Sequence, residues 1–373
     1  MSDNGENMAQ LLTAETDFGL SLLRQHDLTE SVVFSPISIA LALVLVHTAA
    51  NGETKNQIKE ALAKGATDEQ LIQHYQNISA VLLSAEKGTH VKLANRIFTN
   101  NQFDIKQDYL DTIQKLYNAA AEKLDFANQQ ASADAVNNFV KENTADHIKE
   151  IIKPTAFSGD LVAVIANALY FEAIWQKKFK DHQSLDSDFF KTADDKRTIK
   201  FLRAREVHRL FSENGDWQVL QLPYKDETYR YNVFLPSKRF GLQEALKTLD
   251  ANTIQSLVSN TSEVFLNIQI PKMKIESELP LECGLKKLGI TTAFTEAADL
   301  TNLAENIYVS KVTHKAIIEV DESGTVAAAA STVELMTKSA MFSINEPREF
   351  LADHPFLFII TKDGHPLFAG VHN

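Results

Sequence analysis

The sequence predicts one mixed α+β domain. Apolar residues recur at helical spacing through the first third of the chain, runs rich in apolar and β-branched residues dominate the rest, and no internal repeat or long linker divides the 373 residues. Helices and strands are segregated rather than regularly interleaved, which opposes a doubly wound parallel sheet and favours mixed layers of helix and sheet. The expected unit is a single domain spanning residues 1–373, large but within reach of one buried core.

Phe18, Leu20, Leu22 and Leu23 lie in a first amphipathic helix. Ser35-Pro36 starts a second, because proline is tolerated in the first turn, and Ile37 to Val46 is apolar enough to be buried. Thr54 to Leu62 and Glu69 to Leu83 continue the helical pattern across an interruption at Gly65. Lys92 to Thr99 reads as a strand, Asp108 to Tyr117 as a helix, Ala121 to Phe126 as a strand, and Ala131 to Ile152 as one long helix. Leu161 to Phe171, Val219 to Leu222, Tyr229 to Leu235, Val264 to Ile270 and Tyr308 to Val320 read as strands. Phe356 to Ile360 and Pro366 to Val371 form a closing pair around the turn Lys362-Asp363-Gly364.

Acidic residues outnumber basic ones, 49 to 37, giving a formal charge of -12. Nucleic acid and other polyanions are therefore not expected partners, because phosphate binding needs concentrated positive charge. The densest basic cluster, Lys177, Lys178 and Lys180, is short and followed by Asp181. No apolar run reaches membrane-spanning length, so no membrane partner is expected. A lone cysteine, Cys283, rules out an intrachain disulfide framework, with core packing its expected role. The polar start, Met1 to Met8, lacks the pattern of a signal peptide. A reducing, cytoplasmic compartment is the expectation, although a removed leader or another route of export would leave no trace in these residues. Asn77-Ile78-Ser79 and Asn260-Thr261-Ser262 read as polar surface positions.

The unusual segment runs from Asp321 to Met341. Its four alanines favour a helix, but Gly324, Thr325, Val326, Thr332 and Val333 weaken that reading. Taken as a strand, Thr325, Ala327, Ala329, Ser331, Val333 and Leu335 share one face, all small or apolar. Val326, Ala328, Ala330, Thr332, Glu334 and Met336 share the other, so Glu334 stays off the first face. Such a segment can enter a sheet without burying charge, and Gly324 can serve as the hinge where the chain turns away.

Glu322, Ser323, Gly324 and Thr325, followed by Ala327 to Ala330, resemble the hinge and reactive loop of serpins. The resemblance extends over nearly the whole chain. Phe34-Ser35-Pro36-Ile37-Ser38-Ile39 is similar to the family's early helix and shutter motif, and Ala94-Asn95-Arg96-Ile97-Phe98 to its first strand signature. Asn167-Ala168-Leu169-Tyr170-Phe171 with Trp175 resembles the central strand and breach. His314-Lys315-Ala316 with Ile318-Glu319-Val320 resembles the strand before the loop, and Asp353-His354-Pro355-Phe356-Leu357-Phe358 the late strand.

The resemblance implies about nine helices, three β-sheets and an exposed, insertable reactive centre loop with its hinge at residues 322–343. Fourteen steps from Gly324 lies Lys338, so the implied reactive bond joins Lys338 to Ser339. Met336 and Thr337 would occupy neighbouring protease subsites. Ser35, Ser38, Asn167 and His314 would form the shutter that holds the sheet closed, with Trp175 beneath the point of loop insertion. Taken without the resemblance, the same groups read as satisfied polar residues of a core. Two departures stand out: Val326 replaces a frequent glutamate, and Ala49-Ala50-Asn51-Gly52 replaces a pattern beginning with glycine.

The implied function is suicide-substrate inhibition of a trypsin-like serine protease by a monomer, with loop-to-sheet polymers a hazard of any insertable strand. A papain-like cysteine protease as target, or a non-inhibitory binding or chaperone role, are the alternatives. Ser35, His314 and Asp353 could be assembled on paper into a hydrolase triad, but no nucleophile elbow supports them. The histidines show no zinc spacing and no glycine-rich phosphate loop occurs, so neither an enzyme nor a cofactor is expected.

Overall fold

The chain builds its centre from an apolar helix. Pro36 lies in the first turn, and the Ser35 side chain accepts from the Ser38 amide, capping an orphan donor. The residues that follow are apolar all round, so this helix is buried rather than amphipathic.

The computed structural model describes residues 2–83, 88–325 and 346–373. Among these, nine α-helices occur: α1 (Ser2–Leu23), α2 (Pro36–Ala49), α3 (Gly52–Ala63), α4 (Asp68–Leu83), α5 (Gln107–Tyr117), α6 (Gln129–Asn143), α7 (Leu242–Thr248), α8 (Ala251–Ser259) and α9 (Glu282–Lys287). The strands are β1 (Val32–Phe34), β2 (Thr89–Asn100), β3 (Ala120–Leu124), β4 (Ala163–Ile174), β5 (Leu185–Phe190), β6 (Lys196–Glu213), β7 (Trp217–Pro223), β8 (Tyr229–Pro236), β9 (Ser262–Pro271) and β10 (Met273–Pro280). They continue with β11 (Lys311–Val320), β12 (Gly324–Thr325), β13 (Arg348–Leu351), β14 (Phe356–Lys362) and β15 (His365–His372). No described helix is long and apolar enough to cross a membrane.

The strands form two sheets. One runs β10-β11-β12-β4-β2-β3, with β11 also pairing directly with β4; the other runs β1-β15-β14-β8-β7-β6-β9-β13, with β5 on β6. The implied third sheet is not separate among the described residues. β6 is 18 residues long and irregular between Ala204 and Val207, and it pairs with β5 at one end, β7 at the other and β9 between. A bulge lets one long strand bend without ending its ladder, so two expected sheets become one continuous surface.

The six-stranded sheet is covered on both faces. Alternate residues Val164, Ala166 and Ala168 of β4 join Ala94 and Phe98 of β2 in a cluster with Val136 and Val140 of α6. The intervening residues Ile165, Leu169, Phe171 and Ala173 belong to the main core with α2 and the second sheet. This is the two-residue period of a strand buried on both sides.

The expected helix over residues 131–152 ends at Asn143, because Ala145 and Asp146 adopt φ of 51° and 64° and cannot continue it. At the Lys362 turn, Asp363 and Gly364 both have positive φ, as a two-residue hairpin requires. Cys283, expected in the core, is exposed on α9. Asn77 and Asn260 are exposed, as expected.

Candidate functional site: the seam between β4 and β11

β4 and β11 run parallel and pair from Val164↔Lys311 to Leu169↔Ala316. Beyond those positions they part. β12 occupies the gap, antiparallel to both neighbours, with Thr325 opposite Val320 of β11 and Ala173 of β4, and Gly324 opposite Ile174. The sheet is therefore zipped over one half of this seam and wedged open at the other by Gly324 and Thr325 of the segment singled out in the sequence.

The zipped half carries the four predicted shutter residues. His314 and Asn167 are register partners across the seam, and Ser35, Ser38, Asn167 and His314 are all fully buried. The Ser35 amide donates to His314 Nε2 at 3.0 Å. That leaves Nδ1 as the protonated nitrogen, and it donates to Asn167 Oδ1. The Asn167 amide group donates to the Ser38 carbonyl at 2.8 Å, to Ser38 Oγ at 2.6 Å, and across to Asn95 Oδ1 on β2. Burial pushes His314 down to about 3, with the hydrogen bond to Asn167 working the other way. The imidazole is therefore neutral, as its accepting Nε2 requires. Each member satisfies another inside an otherwise apolar layer, so removing one leaves its neighbours unpaired at a cost of about 1–3 kcal/mol each.

At the wedged half, Trp175 packs against the turn at residues 321–324. Its ring stacks on Tyr224 at 4.5 Å between centroids, its Nε1 donates to the Asp321 carbonyl at 2.9 Å, and its amide donates to the Ser323 carbonyl at 2.9 Å. The Asp321 carboxylate accepts from the amides of Ser323 and Gly324, closing a tight turn. Lys272 holds Glu322 at 2.7 Å. Thr325 is fully buried, its Oγ1 2.6 Å from the Tyr224 hydroxyl. Thr325 thus turns its side chain toward the interior, beneath the sheet.

The reason for glycine at 324 differs from the expected one. Gly324 does not adopt a left-handed conformation; a Cβ there would fall 2.0 Å from the Ala173 carbonyl oxygen. Close backbone approach, rather than rotational freedom, excludes every side chain.

Val326, Ala327, Ala328, Ala329, Ala330, Ser331, Thr332, Val333, Glu334, Leu335, Met336 and Thr337, with the predicted reactive pair Lys338 and Ser339, lie outside the described residues. Sequence reasoning did not single out Asn95, Tyr224 or Asp321 for this site. Asn95 stood inside a recognised motif and Asp321 at the start of the unusual segment; Tyr224 carried no separate signal, since it acts through a fold-dependent contact.

A hydrolytic triad is not assembled. Ser35 Oγ caps α2, His314 Nδ1 faces Asn167 rather than an acid, and Asp353 makes a paired contact to Arg239 at 2.9 Å.

The family model described as Serpin (serine protease inhibitor) matches residues 13–373. The chain belongs to the serpin family. It is 32% identical to a leukocyte elastase inhibitor of Xenopus tropicalis over 371 residues, 95% of this chain and 96% of that one. Serine protease inhibitor 42Dd of Drosophila melanogaster is 31% identical over 354 residues, covering 94% of this chain and 92% of the relative. The crystal structure of Serpin48 from the insect Tenebrio molitor superposes with a TM-score of 0.88 at 26% identity, over 98% of both chains. Serpins are non-catalytic protease inhibitors. In this serpin the β4–β11 seam is paired over six residues and held apart by β12 beyond them.

Proposed function

We propose that this serpin is a suicide-substrate inhibitor of a trypsin-like serine protease, cut between Lys338 and Ser339. The supporting observation is β12, seated between β4 and β11 with Thr325 buried and Gly324 against bare backbone. The family's insertable strand begins in the seam it would fill.

A protease with an acidic specificity pocket takes Lys338. Its serine Oγ attacks the Lys338 carbonyl carbon, the Lys338–Ser339 bond breaks, and the new Ser339 amine leaves with a proton delivered by the protease's histidine. The protease is then held as an ester on the Lys338 carbonyl. A strand continued in the register of Thr325 places Ala327 opposite Phe171, Ala329 opposite Leu169, and Ser331 opposite both Asn167 and His314, reaching Ala163 at Leu335. Small residues at 327 and 329 suit the tight upper seam. Ser331 brings a hydroxyl to the level of the buried network, where it can replace bonds lost when β4 and β11 separate. Roughly ten added residues at about 1 kcal/mol of net hydrogen bonding each give on the order of 10 kcal/mol. Trapping then depends on insertion outrunning hydrolysis of the ester.

In this reading Ser35, Ser38, Asn167 and His314 act as the shutter, and Trp175 supports the breach. The chain acts as a monomer on its protease. Incubation with trypsin should give a complex resistant to denaturation and a released peptide beginning at Ser339, and Lys338→Asp should abolish both. Complete turnover without a trapped species would refute inhibition; a different new terminus would refute the assignment of Lys338.

A further inference from the structure

Away from the seam, three residues far apart in sequence converge. Glu15 on α1 bonds His74 of α4 at 2.8 Å (Oε1 to Nε2) and His365 of β15 at 2.6 Å (Oε2 to Nδ1). The ligand atoms of all three lie within 4.8 Å of one another. Glu15 and His74 are buried and His365 is half-buried. The cluster borders a cavity of about 650 Å³ whose lining includes His74, His365, Leu11, Ile78, Leu82 and Leu367.

A buried carboxylate requires compensating charge. Among the described residues the ion-pair partners of Glu15 are these two imidazoles, with no lysine or arginine. Two imidazole nitrogens and a carboxylate form a donor set suited to a borderline divalent ion, and three protein ligands with a fourth position open is a common zinc arrangement. Tetrahedral zinc with ligands at about 2.0–2.1 Å separates its donors by roughly 3.3 Å. The two hydrogen-bonded separations, 2.8 and 2.6 Å, are shorter than that value and all three ligand atoms lie within 4.8 Å, so an ion would replace both hydrogen bonds as the side chains move apart around it.

We propose that Glu15, His74 and His365 form a Zn²⁺ site, its fourth coordination position facing the cavity. The site fastens α1, α4 and β15 together and stabilises the native serpin. It escaped the sequence because its residues are 59 and 350 positions from Glu15, with no local motif.

Cobalt chloride titrated into the full chain at neutral pH should raise a saturable visible absorption band at one ion per chain, displaced by zinc sulfate, and zinc should raise the thermal midpoint. His74→Gln and His365→Gln should each weaken binding by at least about tenfold, the scale seen when even the supports of metal ligands are lost. Cys283→Ser should leave the band unchanged. Absence of the band, or a band undiminished in the histidine variants, would overturn the assignment. If His74→Gln does not fold, the half-buried His365→Gln decides alone. Protease trapping is read separately and does not bear on this site.

Discussion

Thr325→Arg tests the direction and the order of loop insertion together. In the closed molecule Thr325 is fully buried between Val320 and Ala173, and its hydroxyl meets Tyr224 at 2.6 Å. The substitution removes that bond, worth about 1 kcal/mol, and forces a guanidinium into the layer where Tyr224 stacks on Trp175. The two acids on the adjoining turn are engaged, Asp321 by backbone amides and Glu322 by Lys272. An unpaired buried charge costs several kcal/mol even after relaxation. The total is smaller than the on-the-order-of 10 kcal/mol gained by full insertion, so the inserted state remains accessible. The penalty falls at the first step, however, and a barrier raised by about 3 kcal/mol slows insertion by roughly 100-fold, while ester hydrolysis proceeds at its own rate. The variant should still fold, because only a two-residue strand must withdraw, and should be cleaved at the same bond with little complex formed. The assay is the ratio of inhibitor consumed to protease trapped, with Thr325→Ser as the conservative control. A ratio equal to wild type for Thr325→Arg would refute the inward assignment of this face.

Gly324→Ala should also convert the inhibitor toward a substrate, because its Cβ would lie 2.0 Å from the Ala173 carbonyl oxygen and β12 could not remain seated. Its release would free the turn that holds Trp175, so a shift in tryptophan emission should accompany the raised ratio; neither changing would contradict the close-approach reading. The pH dependence of stability should report His314. Burial holds it at about 3 against an ordinary 6.5, so between those values the unfolded chain binds a proton that the folded chain refuses. The stability this group contributes is intact above pH 6.5 and is lost toward acid at up to about 1.4 kcal/mol per pH unit. His314→Gln, whose side-chain oxygen can accept from the Ser35 amide, should flatten the fall in urea midpoint between pH 6.5 and 5; an unchanged slope would remove His314 as a contributor.

Much of this architecture was legible in the residues, and the failures have specific causes. Ser35, Ser38, Asn167 and His314 were named from sequence and meet in one network, because polar residues inside strongly apolar elements must find one another. β10 alternates buried and exposed positions along its whole length, a pattern available in Met273 to Pro280 but masked by three charged outward residues. β6 offered less: its charged residues and the irregularity after Ala204 break the two-residue period that would have marked it as one strand. The helix expected to reach residue 152 stopped early through two left-handed residues, neither of them glycine. Gly324 was singled out as a candidate hinge for its conformational freedom, whereas the approach of β4 that demands glycine there appears only with the strands in place.

The chemistry of the seam explains why a sheet can be both stable and openable at one place. Were Asn167 and His314 replaced by well-packed aliphatic residues, the closed seam would lose nothing essential, since buried polar groups seldom stabilise a core more than apolar ones of similar shape. What an aliphatic zipper lacks is exchange: the packing it loses on opening is not returned until a strand of matching bulk fills the whole gap, and the small side chains at 327 and 329 cannot match it. Hydrogen bonds are exchanged locally. In the proposed insertion, continued in the register of Thr325, Ser331 would arrive opposite both polar groups at the step where β4 and β11 part, and its hydroxyl can both donate and accept. The neutral state of His314 makes this work, because a protonated ring would have no lone pair for the Ser35 amide and would meet the arriving strand as an unpaired charge. The wedge at β12 supplies the start, since with two residues already paired each further residue extends an existing ladder instead of closing a new loop. Under the proposed insertion, loop and seam form one device, and shifting the serine of the inserting strand by one position would present it to the wrong face even though composition and length were unchanged.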